Sequence, residues 1–464
     1  MPKRTLLYTL FCLLPLFSFC QSDTHEDSLS YEHSINIAPE TSDPNSERLT
    51  LEECLEFAAK HQPALKQSYI DEAIARTNNA INVSGWLPQV NAFGDMTHYY
   101  QLPTAFIPNS QTGEKKAAHT GVYNTSTPTL NATQVIFSPA VLLATRTARL
   151  NNQQAKENTA NIKITLVSEV TKSFYDLLLT QQQITVLKED TARLNKNKSD
   201  AYHQYVSGIV DKVDYKQASI SLNNSMAQLR NAQESLQAKY ATLKQLMGYP
   251  PRKEFVVNYD TAEMMQDTYF DTTQALEYQR RIEYQQLQTL RRIEHETTAY
   301  YQLGFIPSVG AFYNYYQPYL NDNFSKLYNQ AYPYSTIGLN FSVPLFTGFR
   351  RLENVHKARL QEKRDDWEVS SLKSEMYTEY KQALASYKSN LYNLHAMEDN
   401  VQMAKEVYNI VRLQYREGIK AYLDVITAEA DLRTSEINYL NALFQLLSSK
   451  VDLQKALGDI TPTF

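Results

Sequence analysis

The feature that most restricts this chain is that it is written twice. "GIVDKVDYKQA" occupies residues 208–218 and "GIKAYLDVITA" residues 418–428; they share G-I-x-x-x-[LV]-D-x-x-x-A and stand 210 residues apart. "ARL" at 148–150 returns at 358–360, and the "QLMG" ending at Gly248 is matched by the "KALG" ending at Gly458, each pair at the same 210-residue spacing. "GWLPQVNAF" (85–93) returns as "GFIPSVGAF" (304–312) at 219, so the stretch after this anchor is longer in the first copy. Such a period outranks local signals in choosing an architecture. The organisation it implies is a first repeat over 49–248, a linking segment over 249–271, a second repeat over 272–458 and a short tail over 459–464.

Glycine and proline draw the elements inside each repeat. None of the 17 prolines falls in 140–249 or in 345–461. The glycines of those two runs are Gly208 and Gly248 in the first, and Gly348, Gly418 and Gly458 in the second. Breakers therefore sit at the ends and at one interior point of each run, and each run reads as two long helices reversing at Gly208 or Gly418. Leu222, Met226, Leu229, Leu236, Leu243 and Met247 keep the alternating spacing of a coiled-coil seam, with Gln233 and Tyr240 at the missing steps. Val167, Val170, Phe174 and Leu177 make a similar stripe on the preceding arm.

At roughly 1.5 Å per residue, 140–206 spans about 100 Å and 210–247 only about 57 Å. The shorter arm needs an extension, and 50–83 is a helix candidate of suitable length, opening at Thr50 and Glu53 with a capping-box pattern. The expectation is that 50–83 stacks end to end on 210–247. In the second repeat the corresponding helices are 272–303, 350–416 and 420–457.

Short β-like stretches separate these helices. "TIGLNFSVPLF" (336–346) alternates Ile337, Leu339, Phe341 and Val343 with smaller or polar residues, a period of two. "SVGAFYNYYQPY" (308–319), "QVNAFGDMTHYY" (89–100) and "TPTLNATQVIF" (127–137) complete a set of four, the first-repeat pair being joined by a polar, breaker-rich loop. Apolar alternation with tyrosines near the strand ends suits the wall of a membrane barrel with an aromatic girdle, and taken alone also suits an ordinary soluble hairpin. The smallest membrane barrels have about eight strands, so a chain with four must share a barrel with copies of itself. Two copies would supply eight and three would supply twelve; arithmetic does not choose.

The N-terminus, "MPKRTLLYTLFCLLPLFSFCQSD", has a basic start at Lys3 and Arg4, an apolar run, and small residues at Ser18 and Cys20. It reads as a secretory signal over 1–20 with cleavage before Gln21, lipidation at Cys20 being the alternative. Residues 21–48 read as a flexible polar tail. Of Cys12, Cys20 and Cys54, only Cys54 remains if cleavage follows Cys20, so an exported chain would carry no internal disulfide framework. No later segment offers the roughly 20 apolar residues of a spanning helix, so any crossing of a membrane is by strands.

The ordered set of these features resembles the TolC-like outer-membrane efflux proteins. The resemblance rests on the signal segment, the duplicated helix–strand–strand–helix units and "LPQV"/"IPSV" at the first strand of each unit. It rests also on "VIFSP"/"PLFTG" at the end of the second strand, the paired G-I-x-x-x-[LV]-D-x-x-x-A tips and the "LMG"/"ALG" ends. It covers nearly all of residues 49–459. It implies a mainly α fold with a small β part: antiparallel coiled-coil hairpins forming an α-barrel, and four strands per protomer in a shared 12-stranded barrel of a homotrimer. It implies an outer-membrane location with the helical tunnel in the periplasm, lipid around the barrel, and no catalytic activity. It implies two kinds of partner, a periplasmic adaptor protein and an inner-membrane transporter of RND or ABC type. The function implied is the exit duct of a tripartite efflux or type I secretion system, gated at its periplasmic helix tips.

Site residues follow from the same resemblance. Gly208 and Gly418 mark the hairpin tips, where the adaptor is expected to touch. A tyrosine and an arginine on the second tip of the family bond an aspartate on the neighbouring first-repeat hairpin. Tyr415 matches the tyrosine, Asp214 matches the aspartate, and Lys420 stands where the arginine does. Lysine lacks the bidentate fork of arginine, which weakens that part of the latch. Asp424 matches a pore-facing aspartate that forms a ring at the constriction; Thr427 occupies the place of a second ring found in some members.

Other chemistries find little footing. There is no G-x-G-x-x-G, P-loop, G-x-S-x-G or H-E-x-x-H, and Ser370-x-x-Lys373 lies mid-helix without companions. The nine histidines are scattered, so no metal or other cofactor is expected, and a net charge of −5 does not suit a nucleic-acid partner. A trimeric coiled-coil stalk without transport activity is the alternative function. A periplasmic adaptor would show one hairpin and a lipoyl-like domain, where this chain shows two hairpins.

Overall fold

The computed structural model describes residues 47–460 apart from 109–112, 114, 258–263 and 265–266. The expected signal segment (1–20), nearly all of the expected tail (21–48) and residues 461–464 lie outside the described residues.

Helix α3 (Pro139–Val206) is 68 residues long, and most of the other helices pack along it. Proline at its first position costs no hydrogen bond, and no breaker follows until Gly208. After a tight reversal, α4 (Lys212–Met247) returns along the lower half of α3. Helices α1 (Leu51–His61) and α2 (Pro63–Val83) complete this arm, α2 running beside the upper half of α3, where Asn79 Nδ2 donates to the Ala148 carbonyl at 2.9 Å. The second repeat builds the same arrangement from α5 (Ile282–Leu303), α6 (Arg350–Arg416) and α7 (Tyr422–Leu457). Both α5 and α7 also pack on α3, which joins the two halves.

The expected single helix over 50–83 is two helices. Gln62 is extended (φ −60°, ψ 120°) because Pro63 crowds an α conformation in the residue before it. Only α2 continues the line of α4, and α1, capped at Thr50 as its pattern suggested, lies against α3 and the end of α4. Gly248 closes α4 at φ 67°, and a Cβ there would sit 2.7 Å from the His61 carbonyl. The Gln62 side chain then donates to the Leu246 carbonyl at 2.8 Å, supplying a donor to a helix end that lacks one.

The second repeat makes the same joint with a different side chain. Gly458 (φ 77°) faces Arg280, and Arg281 Nη1 donates to the Ala456 carbonyl at 3.0 Å. Gln62 and Arg281 are 219 residues apart, and Leu246 and Ala456 are 210 apart, the two offsets already seen in the sequence. Arg281 is almost fully buried and is paired with Glu283 (3.0 and 3.1 Å) and Glu379 (2.8 Å). The helix expected over 272–303 accordingly begins only at Ile282. The residues before it run over α6, where the Tyr380 hydroxyl donates to the Gln274 carbonyl at 3.0 Å.

Strands β2 (Gln89–His98), β5 (Asn124–Phe137), β7 (Ser308–Tyr316) and β9 (Tyr334–Ser342) form one antiparallel sheet in the order β2–β5–β7–β9. These are the four expected strands. The segment expected as a plain loop contains a further hairpin, β3 (Thr104–Pro108) with β4 (Lys115–His119), and β8 (Tyr319–Asn321) adds to β5. Short strands β1 (Glu47–Leu49) and β6 (Phe255–Val257) pair in parallel beside the helices.

The register sorts side chains by chemistry. One face carries Val90 opposite Ala132, then Ala132 opposite Tyr313 and Tyr313 opposite Ile337; Leu339 and Phe341 follow on it. The other carries Asn91, Asn131, Asn314 and Thr336 in one cross-strand row, with Asn131 donating to Asn314 at 2.5 Å. Both faces are open, and Ile337 remains 83% exposed. The main core lies instead among α1, α3, α4 and α7, around Cys54, Phe174, Leu177, Leu243, Met247 and Leu446. Among the described residues no helix is long and apolar enough to cross a membrane, which says nothing about strands.

Candidate functional site

The two tips share one backbone design. Gly208 (φ 73°) and Gly418 (φ 75°) are left-handed, which a residue with a Cβ rarely adopts. Each ends its helix by paired backbone bonds: Gly208 N to Tyr205 O and Ile209 N to Gln204 O in the first tip, and Gly418 N to Tyr415 O and Ile419 N to Gln414 O in the second. Six residues after the glycine, Asp214 and Asp424 each occupy the third position of the next helix, where a carboxylate complements the exposed N–H groups. Asp424 Oδ2 accepts from Ala421 N at 3.2 Å. The repeated glycine-to-aspartate motif is thus first of all a helix–turn–helix device. Ile209 and Ile419, 73% and 71% exposed, leave both tips apolar.

The expected site residues gather here, with different partners inside one chain. The Tyr415 hydroxyl donates to Gln204 Oε1 of α3 at 3.0 Å and not to Asp214. Burial, and after it the Asp214 carboxylate, push the Tyr415 phenol above its ordinary value, so Asp214 is within electrostatic reach. Lys420 Nζ faces Asp424 Oδ2 at 3.8 Å, both side chains about half exposed, a pair worth well under about 1 kcal/mol. Tyr422, not singled out from the sequence, is buried against Ala201 and Ala218 with its ring 5.5 Å from that of Tyr415.

Further up the hairpins a buried polar network joins the two repeats. Asp190 of α3 is fully buried; its Oδ2 accepts from Ser225 of α4 at 2.7 Å and Arg433 of α7 at 3.0 Å, and its Oδ1 from Arg193 at 3.4 Å. Arg193 Nε and Asn197 Nδ2 donate to the two oxygens of the buried Glu429 at 3.3 and 3.0 Å. Burial, then the nearby Asp190, raise the Glu429 carboxyl above its ordinary value, partly offset by Arg193 and Asn197. The sequence held a signal for this. Leu187, Asp190, Leu194, Asn197 and Ala201 keep the 3–4 seam spacing, and a charge on a seam must find a partner.

Comparison with known proteins agrees with this geometry. The chain is 21% identical over 342 residues to the outer membrane protein TolC of Vibrio cholerae, covering 72% of this chain and 76% of that one. Its fold matches that of the outer membrane protein VceC of Vibrio cholerae with a TM-score of 0.69 at 17% identity, over 88% of this chain and 96% of that one. It matches the CmeC outer membrane channel of Campylobacter jejuni with a TM-score of 0.71 at 17% identity, over 97% and 95%. The alternative expectation, a stalk without transport, finds no support in these likenesses. The outer membrane efflux protein model matches residues 55–249 and 302–459, both copies of the repeat, and the chain therefore belongs to the outer membrane efflux protein family.

Proposed function

We propose that this chain is one third of a passive exit duct in the outer membrane, with no chemistry of its own. The observation that carries the reading is the β2–β5–β7–β9 sheet. It is apolar on one face and rich in amides and hydroxyls on the other, and among the described residues both its outer strands, β2 and β9, have one unpaired edge. An unpaired edge in lipid is untenable, so β9 of one copy pairs with β2 of the next, and three copies close twelve strands with the apolar face to lipid. The α-hairpins continue the wall into the periplasm, where the apolar tips around Ile209 and Ile419 meet an adaptor that links the duct to an inner-membrane transporter.

The tips are the gate of this duct. Tyr415, Asp214 and Lys420 hold neighbouring hairpins together when the copies assemble, and Asp424 contributes one carboxylate to a ring that favours cations. Single cysteines on facing β2 and β9 positions test the assembly: interchain cross-links giving a ladder that ends at the trimer are expected, and a ladder ending at the dimer refutes three copies. In planar bilayers, Asp424→Ala should reduce cation selectivity; an unchanged reversal potential removes the ring. Tyr415→Phe with Asp214→Ala should raise conductance, and no change removes the latch.

A further inference from the structure

The tip holds a second tyrosine that the family pattern did not mark. Tyr422 is the first residue of α7, four after Gly418. Its ring, 5% exposed, lies against Ala201 of α3 and Ala218 of α4, with Tyr415 and Ile426 beside it. The two helices of the first hairpin thus present alanines to it, where Leu222 stands one turn and Leu194 two turns further up. A ring from one hairpin fills a notch formed by the other.

The seat is well packed but unfinished. The Tyr422 hydroxyl is buried and has no hydrogen-bond partner among the described residues. An unsatisfied hydroxyl makes the contact weaker than the same ring without it. Burial first, then Glu429, Tyr415, Asp214 and Asp200, push its ionisation upward, so the phenol stays neutral and the seat holds no charge.

We propose that Tyr422 is the residue that seats the second hairpin's tip on the first, and that withdrawal of its ring from the Ala201–Ala218 notch is a step of channel opening. The inference rests on the reading of the tips as the gate. Tyr422→Ala empties the notch, Ala218→Leu fills it with Tyr422 still in place, and Tyr422→Phe keeps the ring while removing the orphan hydroxyl. Single-channel recording of assembled trimers should show Tyr422→Ala raising the ratio of open to closed states roughly a hundred-fold or more, the scale of losing one buried aromatic ring, and Ala218→Leu raising it in the same direction. Tyr422→Phe should open no more often than the unmodified protein, and Ala218→Leu should add nothing in the Tyr422→Ala background. If Tyr422→Phe opens like Tyr422→Ala, the ring is not the seat and the proposal fails. If Tyr422→Ala and Ala218→Leu both leave occupancy unchanged while Asp424→Ala alters selectivity, the proposal fails and the gate reading stands. If none of these variants moves any channel property, the gate reading fails and takes the proposal with it.

Discussion

Removing Arg433 should cost more than removing the aspartate it serves. Asp190 is 0% exposed, whereas the Arg433 side chain is 14% exposed. Arg433→Ala leaves a fully buried carboxylate with Ser225 at 2.7 Å and Arg193 at 3.4 Å, and Arg193 is shared with Glu429. Breaking a buried pair in this way costs about 3–5 kcal/mol. Asp190→Ala instead leaves two arginines, one already partnered by Glu429 and the other at the edge of solvent, so its cost is that of lost charged hydrogen bonds, about 1.5–3 kcal/mol. Hydrogen exchange of the 425–436 amides in detergent-purified protein reads the difference locally. At about 1.36 kcal/mol per decade, Arg433→Ala should accelerate exchange by roughly two to three and a half powers of ten and Asp190→Ala by roughly one to two. The double variant should lose less than the sum, since no buried charge is orphaned. Equal effects, or a larger effect from Asp190→Ala, refute the assignment of Asp190 as the buried hub.

Three further outcomes follow. Glu429 has its carboxyl raised above the ordinary 4.5, so it stabilises the fold most when protonated and that contribution is lost as pH climbs above the ordinary value. Protection of the 425–433 amides, corrected for intrinsic exchange, should therefore rise as the pH is lowered towards that ordinary 4.5, and Glu429→Gln should flatten that slope; an unaltered slope refutes this. Cys54 is fully buried, and burial followed by the charge of Glu53 pushes its thiol up to about 12, so maleimide should label it only after denaturation. Gly248→Ala should lower the melting temperature well beyond Gly208→Ala. Both pay about 1–2 kcal/mol for the left-handed backbone, but only at Gly248 does the new Cβ strike a carbonyl, at 2.7 Å. Equal shifts would mean that the α4–α2 joint yields.

How far the chain could be read from its letters varied by element, for physical reasons. The long helices were legible because breakers are absent from them and apolar residues keep a seam spacing; α3, α4, α6 and α7 end at Gly208, Gly248, Gly418 and Gly458 or within two residues of them. The four sheet strands were legible from alternation. The β3–β4 hairpin was missed because its strands are five residues each, too short for alternation to show. The break at Gln62 was written in the following proline, yet the length argument for one continuous arm overrode that local signal.

The site divides in the same way. The duplication, the tip glycines, the third-position aspartates and the two-faced strands can be read from the letters, because each is a local consequence of backbone geometry or of a period. That the Tyr415 hydroxyl goes to Gln204, that Tyr422 fills an alanine notch, and that Asp190, Arg433 and Glu429 share one buried network emerge only once the hairpins are packed. Those pairings join residues more than 200 positions apart, and which side chains meet across two packed hairpins depends on their relative rotation and axial offset. Local pattern carries neither quantity. Close packing of α7 on α3 sets both.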